Sequence, residues 1–543
     1  MNLEFAPSRS GLQTCSADGK MLHSAWDPRA EACRFLDAKG AGPNAEGSAY
    51  VLLVGPCLDY LAECIRERHP FATVVSAQLS PAFRGRERPG AAASWYPDEG
   101  LALDSFLTAT MDQDALAPLF IVEWPPGVEA FPQEAREVRA AFSRAVERLA
   151  SDAATIRAMG RRWIANSARN FLEADRFVSP HFGDRPVAIL GAGPTLPRAL
   201  ELLGPLRESF SIVTVSSAAA AVLARGIEPD LVVSTDPGFW SRSHLGALAG
   251  GPTALGGGST ALVGGATALV GGAAALASPL SAYPGRRASP LLLLDQGWSF
   301  ESELCAFLGK ALRIPGHGTV AGSALAIGAA LGGGPLIIAG FDFAATEAES
   351  HVRPNAFEAL VLAPESRLRP GESLRYARLL EQHPERLDSG GWRSSRALSI
   401  YARAIESDAR GLGGRVARLL PSAVSLDGIP EIGPEELRSL ARRPCAQRMR
   451  PEPADGPSEG QRKAWLAATL RKWRRAAEGL RPGGAAPPGQ EDTNADILRC
   501  VDLPDFAALR RAGREGRDGS AALNRLEGEL ECFIDDLQRK LIA

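Results

Sequence analysis

The run from Gly316 to Phe343, GHGTVAGSALAIGAALGGGPLIIAGFDF, narrows the folds open to this chain more than any other segment. A glycine-rich turn opens a helix of small residues, and a short apolar strand then ends on Gly340 and Asp342. A short apolar run bounded by glycine reads as a strand buried on both faces. A carboxylate at the carboxyl end of such a strand, facing a glycine-rich helix start, is how open α/β sheets hold phosphorylated ligands. Helices rich in Ala and Gly also serve packing alone, so the rest of the chain must supply the same pocket.

The stretch upstream has the matching pattern. Val187–Leu190 is an apolar strand, Gly191-Ala-Gly-Pro-Thr195 a turn, and residues 196–203 a helix. A strand at 211–215, a helix at 218–225 stopped by Gly226, and a strand at 231–234 ending in Thr235-Asp236-Pro237 follow. Further strand-length apolar runs stand at 291–294 and 336–339. Alternation of strands and helices predicts a Rossmann-like, doubly wound parallel sheet. Strands at 50–54, 72–76 and 119–122, with a helix at 58–68, predict a smaller amino-terminal α/β domain; residues up to about 45 read as irregular. Positions 134–174 read as a long connecting helix with mixed three and four spacing, open to a break.

Beyond Gly428 the chain turns helical and charged, with connectors expected at 451–459 and 482–491. The helix at 465–481 is basic and amphipathic through Arg471-Lys-Trp-Arg-Arg475; it reads as a solvated face, with an acceptor protein or a membrane surface as the alternative. A final helix at 523–542 has apolar spacing suited to packing on a neighbour. The expected division is 1–175, 176–432 and 433–543. Inside the central part, residues 253–280 hold four seven-residue units, TALGGGS, TALVGGA, TALVGGA and AALASPL. Four short units make no solenoid, and they read as an expansion in a loop or between strands.

Composition excludes some classes. A net charge of -3, from 60 basic and 63 acidic residues, gives no excess to drive the whole chain onto nucleic acid. The eight cysteines contain no CxxC pair, which predicts neither a disulfide framework nor a zinc site and fits a reducing cytoplasm. MNLEFAPSRS does not read as a signal peptide, and no uncharged run has the bulk of a membrane span.

The chemistry-bearing residues gather at strand ends. The turn at Gly191, Gly193, Pro194 and Thr195 follows a strand and opens a helix, where amides and the helix dipole receive an anion. Leu196 stands where the dinucleotide fingerprint wants Gly or Ala, and the next strand ends in Ser216-Ser217 instead of a ribose-binding acid, which argues against NAD. GxxxxGK[ST] is absent, which argues against a P-loop kinase. Asp236 and Asp342 end two strands and are candidates for sugar hydroxyls, a ribose or a divalent cation. Asp230, entering its strand, reads as structural. His317 and His351 flank the suspect segment and are candidates for proton transfer; His23, His69, His181, His244 and His383 lack that context. No nucleophile elbow or Ser-His-Asp order is evident.

Taken together, GAGPTLP at Gly191, ARGIEPDLVVSTDP at 224–237, and the 316–344 segment followed by His351 resemble the motility accessory factor (Maf) glycosyltransferases. That family shares its central domain with the MptE-like hydroxymethylpterin diphosphokinases and is similar to bacterial sialyltransferases. LLPSAVSLDGIPEI at 419–432 resembles the family's exit from this domain. The resemblance covers 187–432 well and the amino-terminal unit weakly. It implies transfer of a nonulosonic, sialic-acid-like sugar from a CMP-activated donor to serine or threonine of flagellin or another acceptor protein. By that resemblance Gly191, Gly193, Pro194, Thr195 and Ser216 would hold the nucleotide. Asp236, Gly340 and Asp342 would line the donor site, Gly316, Gly318 and Thr319 would close over it, and His351 would serve as base with His317 beside it. No cofactor is implied for that reaction. The rival reading, a pterin diphosphokinase, calls for ATP and Mg2+ with Asp236 and Asp342 as metal contacts; a second rival is a non-catalytic flagellar binding protein. Gly55-Pro-Cys-Leu-Asp59 departs from the family's GxGLGY-like turn, which makes that unit structural or partner-binding.

Overall fold

The computed structural model describes residues 2–39, 49–100, 102–111, 118–173, 176–246, 275–278, 291–309, 311–387, 391–443, 454–479 and 491–542. The connector expected at 482–491 apart from Glu491, the start of the one at 451–459, and the repeat tract apart from 275–278 lie outside them. The chain separates into two compact units, Met1–Gly160 with Trp473–Ile534, and Arg161–Lys472 with Asp535–Ala543. The helical carboxy-terminal segment is thus shared between the units.

The first unit opens on three antiparallel strands, β1 (Leu3–Pro7), β2 (Gln13–Ala17) and β3 (Lys20–Met21), followed by a helix at Pro28–Lys39. This corrects the irregular reading of the first 45 residues. The signal was Asp18-Gly19, both at positive φ (45° and 81°), a dipeptide suited to a tight hairpin turn. Behind it, β4 (Ala49–Val54), β5 (Ala72–Ala77), β6 (Ala93–Trp95) and β7 (Leu119–Glu123) form a parallel sheet in the order β6-β5-β4-β7. The helix Tyr60–Arg68 joins β4 to β5 and buries Leu61, Cys64 and Ile65.

The expectation of no disulfide is also corrected. Cys33 and Cys64, on two neighbouring helices, are bonded with their Cα atoms 5.8 Å apart. Their separation of 31 residues carries no spacing motif, and only the packing of the two helices brings them together.

The connecting helix is continuous from Pro132 to Glu173. It holds no proline after its start, and its Gly160 is required by close approach: a Cβ there would lie 2.6 Å from the Cys500 carbonyl oxygen. Helices Glu491–Val501 and Leu503–Glu515 belong to the same unit, and an Arg514 guanidinium nitrogen donates to the Tyr50 hydroxyl at 2.9 Å.

The second unit is built on a larger sheet. Its strands are β8 (Arg176–Phe177), β9 (Val187–Leu190), β10 (Ser211–Val215), β11 (Leu231–Val233), β12 (Ala275–Ser278), β13 (Leu291–Asp295), β14 (Ala311–Arg313), β15 (Leu336–Ala339), then, past a separate small hairpin of β16 (Glu385–Arg386) and β17 (Arg393–Ser394), β18 (Val416–Leu419), β19 (Glu431–Ile432) and β20 (Ala454–Asp455). The order is β19-β18-β15-β9-β10-β11-β12-β13-β8-β20, with β14 on β13, and all pairs but β8–β20 are parallel. This is the doubly wound α/β architecture expected from the sequence. The last unit of the repeat tract supplies β12, so that stretch is part of the sheet as well as of an insertion.

All four residues of β9 and of β15 are buried, which accounts for their unbroken apolar sequences. Each fully buried Val, Leu or Ile contributes about 1.5–3 kcal/mol relative to exposure. The helix Val320–Leu331 lies across β9, β10, β11 and β15, and its small residues allow that: a Cβ on Gly328 would sit 3.0 Å from Ile189. Helix Glu459–Gly479, expected as a solvated basic face, buries Leu466, Leu470 and Trp473 while Lys472 pairs with Glu303 at 3.0 Å. Among the described residues, no helix is long and apolar enough to cross a membrane.

Candidate active site

The larger sheet reverses its winding between β9 and β15. From β9 the chain adds β10 to β13 on one side, and β15 with β18 on the other. Crevices at the carboxyl ends of strands at such a point are the usual ligand sites of open α/β sheets. Here the two strand ends are pressed together. Gly191 N–H donates to Ala339 O and Gly193 N–H to Gly340 O, each at 2.8 Å. A Cβ on Gly191 would lie 2.6 Å from Gly340 O, and one on Gly340, at φ 68°, would lie 2.6 Å from Gly191 O. The GxG turn and the G-x-D strand end are therefore two halves of one backbone contact.

Asp342 clasps that contact. Its Oδ2 accepts from Thr195 N–H at 2.8 Å, its Oδ1 from the Thr195 hydroxyl at 2.6 Å, and the Ser422 hydroxyl donates to Oδ1 at 3.3 Å. The side chain is buried, and burial raises its pKa above the ordinary carboxylate value while the Thr195 hydrogen bonds pull it down. The turn at 191–195, expected to cradle a phosphate, is tied to the end of β15. The amides of Gly191, Gly193 and Thr195 are already engaged, and Pro194 has none to offer. Asp342 and Gly340 contact the turn through Thr195 and Gly191.

The open part of the edge lies beyond β11 and before the helix Val320–Leu331. Asp236 is exposed, and its Oδ1 accepts from Gly238 N–H at 2.8 Å. Thr235 Oγ1 accepts from the Ser323 hydroxyl at 3.4 Å, joining the end of β11 to the first turn of that helix. Thr319 caps the helix through its hydroxyl, which accepts from Gly322 N–H at 3.0 Å. Open space surrounds the position a Cβ would take on Gly318, and only Gln296 O, at 3.8 Å, approaches that of Gly316. The loop 314–319 leaves the carboxyl end of β14, with Ile314 N–H donating to Asp295 O at 3.0 Å. Ser216 is buried at the first position of the helix Ser216–Leu223.

The segment after Asp342 folds back onto the same edge. Val352 N–H donates to Ala192 O at 2.8 Å, which places His351 beside the 191–195 turn. The His351 ring meets Phe357 edge-on at 4.9 Å, and Phe357 also meets His244 at 4.9 Å and Trp240 at 5.1 Å. His244 and Trp240 come from the helix Phe239–Gly246 that follows Asp236, so two candidate segments distant in sequence share one aromatic cluster. Desolvation pushes His351 and His244 each down to about 4, with their mutual proximity adding to the effect at His351. At neutral pH both imidazoles are uncharged, and His351 is a weak proton acceptor.

His317 stands apart from that cluster. Its Nδ1 lies 3.4 Å from Asp408 Oδ2, on the helix Arg396–Gly411. Sequence reasoning missed Asp408, Ser422, Trp240 and Phe357, and set His244 aside; Ser422 alone lay in a quoted motif, LLPSAV. Among the described residues, no group of three His, Cys, Asp or Glu side chains could hold a metal ion.

A family model described as 6-hydroxymethylpterin diphosphokinase MptE-like matches residues 161–255, from the end of the connecting helix through Asp236. Two uncharacterized proteins of Treponema pallidum (strain Nichols) are similar in sequence. One is 28% identical over 263 residues, 47% of this chain and 53% of that protein. The other is 26% identical over 125 residues, 22% of this chain and 60% of that protein. The chain thus spans little more than half the length of the curated relatives it matches. Among solved structures, the Maf glycosyltransferase from Magnetospirillum magneticum AMB-1 matches across 100% of this chain and 92% of its own, with a TM-score of 0.54 at 12% identity. The fold of this chain is Maf-like, with an MptE-like segment over residues 161–255.

Proposed function

We propose that this chain is a glycosyltransferase that moves a nonulosonic, sialic-acid-like sugar from a CMP-activated donor to a serine or threonine hydroxyl of flagellin or a related protein. The observation that carries the reading is the likeness in fold, over the whole chain, to a Maf glycosyltransferase. The open carboxyl edge between Asp236 and Gly318 supports it. In this reading the phosphate sits at the start of the helix Val320–Leu331, where the first amides have no intrahelical acceptor and the dipole favours an anion. That helix start replaces the 191–195 turn in the role. Asp342 acts by holding the two strand ends in register, and Asp236 and Thr235 face the sugar. The reaction would run in the cytoplasm, on a protein acceptor.

A second reading, a pterin diphosphokinase using ATP and Mg2+, is favoured by the match at 161–255. The residues present fit its metal poorly. Both oxygens of Asp342 are engaged by Thr195 and Ser422, which leaves the exposed Asp236 as a single carboxylate.

Thermal unfolding with CMP, CMP-sialic acid, ATP with Mg2+, and a hydroxymethylpterin separates the readings. CMP compounds alone should raise the midpoint. A rise with pterin and ATP and none with CMP compounds would sink the glycosyltransferase, and no rise with any would leave a non-catalytic binding protein.

A further inference from the structure

We infer that His317 is the proton acceptor of the transfer reaction and that Asp408 is its positioning residue. The inference rests on the transferase reading above, and it replaces the base that sequence resemblance suggested. A glycosyl transfer to a hydroxyl needs one group that accepts the hydroxyl proton and stays stable once charged. Three histidines lie in or beside the candidate site, and their surroundings differ.

His351 and His244 sit in an aromatic cluster. Burial lowers both rings to about 4, His244 and His383 add to the lowering at His351, and the polar contact at its Nδ1 is the uncharged Ser350 hydroxyl at 3.2 Å. A proton placed there is badly supported. His317 has the opposite surroundings. One ring nitrogen, Nδ1, faces the Asp408 carboxylate at 3.4 Å. The other, Nε2, is covered and has no hydrogen-bond partner among the described residues. A carboxylate beside Nδ1 is placed to accept the Nδ1 proton's hydrogen bond, which would leave the lone pair on Nε2.

The fold builds this arrangement on purpose-made packing. The ring rests over Gly322, the third residue of the helix, where a Cβ would lie 3.1 Å from Nδ1, and glycine there leaves room for the imidazole. Asp408 is presented by a helix packed on the helix Val320–Leu331. The His317 loop leaves the carboxyl end of β14, and the same helix start reaches Thr235 beside Asp236 through Ser323. A buried ring nitrogen with nothing to bond is costly at rest, and an acceptor hydroxyl reaching it removes that cost. At 3.4 Å the contact is no hydrogen bond, and Asp408 Oδ2 has no hydrogen-bond partner among the described residues; catalytic pairs often align only when substrate binds.

The step balances without a further reagent. The acceptor hydroxyl gives its proton to His317 Nε2 while its oxygen forms a bond to the anomeric carbon of the sugar. The bond from that carbon to the phosphate oxygen breaks, and CMP leaves with the electron pair. The proton then passes from the imidazolium to solvent. Phosphoryl transfer to a pterin hydroxymethyl group would need the same proton acceptor, so the role can be read on either reaction.

The experiment uses the full chain and whichever donor the ligand screen identifies. His317→Ala should lower kcat roughly 10²–10⁴-fold, with KM for the donor changed less than about threefold, and added imidazole should restore part of kcat. Asp408→Asn should lower kcat by about tenfold or more at unchanged donor KM, and Asp408→Glu should recover much of that loss. Partial rescue by imidazole is a readout a packing role would not move. If His317→Ala does not fold, Asp408→Asn, an isosteric change on a side chain 34% exposed, gives the same reading. Full kcat in either His317→Ala or Asp408→Asn overturns the inference alone. A wild-type chain inert toward both CMP-sugar and ATP donors overturns the transferase reading and this role with it.

Discussion

The two parallel sheets of this chain reverse their winding in the same manner, and their carboxyl edges at that point are finished differently. In the smaller sheet the reversal lies between β4 and β7, in the larger between β9 and β15. Each is closed by a pair of glycines whose backbones touch: Gly55 and Gly127 in one, Gly191 and Gly340 in the other. Behind each pair sits a buried aspartate. Asp342 has both oxygens satisfied by Thr195 and Ser422. Asp59, in a left-handed conformation at φ 66°, receives the Ser76 hydroxyl on Oδ1 at 2.9 Å, and its Oδ2 has no partner among the described residues. Desolvation pushes Asp59 up to about 7. The smaller edge is filled with Cys57, Leu58, Tyr60, Leu79 and Trp124, all buried, whereas the larger leaves Asp236 exposed and open space at Gly318. Topology offers a crevice at a winding reversal; the residues just past the strand ends decide whether it stays open.

The largest test of that comparison strikes the glycines. Gly193→Ala would drive a methyl group against Asp342 Oδ2 and Gly340 O, and Gly127→Ala would drive one into Gly55 O. Each should cost about 3 kcal/mol or more, read as a lowered denaturant midpoint of its own unit. If Gly193→Ala unfolds with the wild-type midpoint, the two strand ends are not in contact and the symmetry with Gly55 and Gly127 is broken.

The aspartates should respond with opposite signs. Asp342→Ala strands the Thr195 N–H and should lose about 1–3 kcal/mol. Asp59→Asn removes a carboxylate that is hard to ionise. Its pKa is raised from 3.8 to about 7, so between those values the folded chain holds a proton that the unfolded chain has released. That contribution is full below about pH 4 and is lost as pH rises through 7. Asp59→Asn should therefore stabilise the protein at pH 8 by on the order of 1 kcal/mol or more, with the gain vanishing near pH 4. His351 and His244 run the other way: lowered to about 4, they cost stability as pH falls from 6.5 toward 4. Urea melts of wild type and Asp59→Asn at pH 5 and pH 8 decide the point, and parallel pH profiles for the two chains would refute it.

The smallest effect is expected at the open edge. Thr319→Ala removes the cap of the helix Val320–Leu331 and should cost about 1 kcal/mol, while weakening binding of a phosphate-bearing donor more than it weakens the fold. Unchanged donor affinity, measured by calorimetry, would move the phosphate away from that helix start.

Much of the larger sheet was legible because its strands are short, apolar and bounded by glycine. VAIL, SIVTV and LIIA are buried on both faces, so burial leaves a continuous apolar signature. Strands β18 and β19 escaped notice because VARL and EI carry a buried arginine or an exposed acid in place of that signature. The hairpin at the amino terminus was overlooked although its Asp18-Gly19 turn announces it. The repeat tract hid β12, since AALASPL looks like its loop-like neighbours until it is paired between β11 and β13.

By itself the sequence determined the winding: strand and helix alternate because each local run carries its own period and its own turn residues. It also placed the glycines and aspartates at strand ends. What those residues do was decided by tertiary contact. Thr195 and Asp342 are 147 positions apart, and only the side-by-side packing of β9 and β15 brings them into hydrogen-bond contact. The pairing of His317 with Asp408, and of Cys33 with Cys64, has the same origin. Periodicity reports which face of an element is buried; it is silent on which distant side chain will lie across from it.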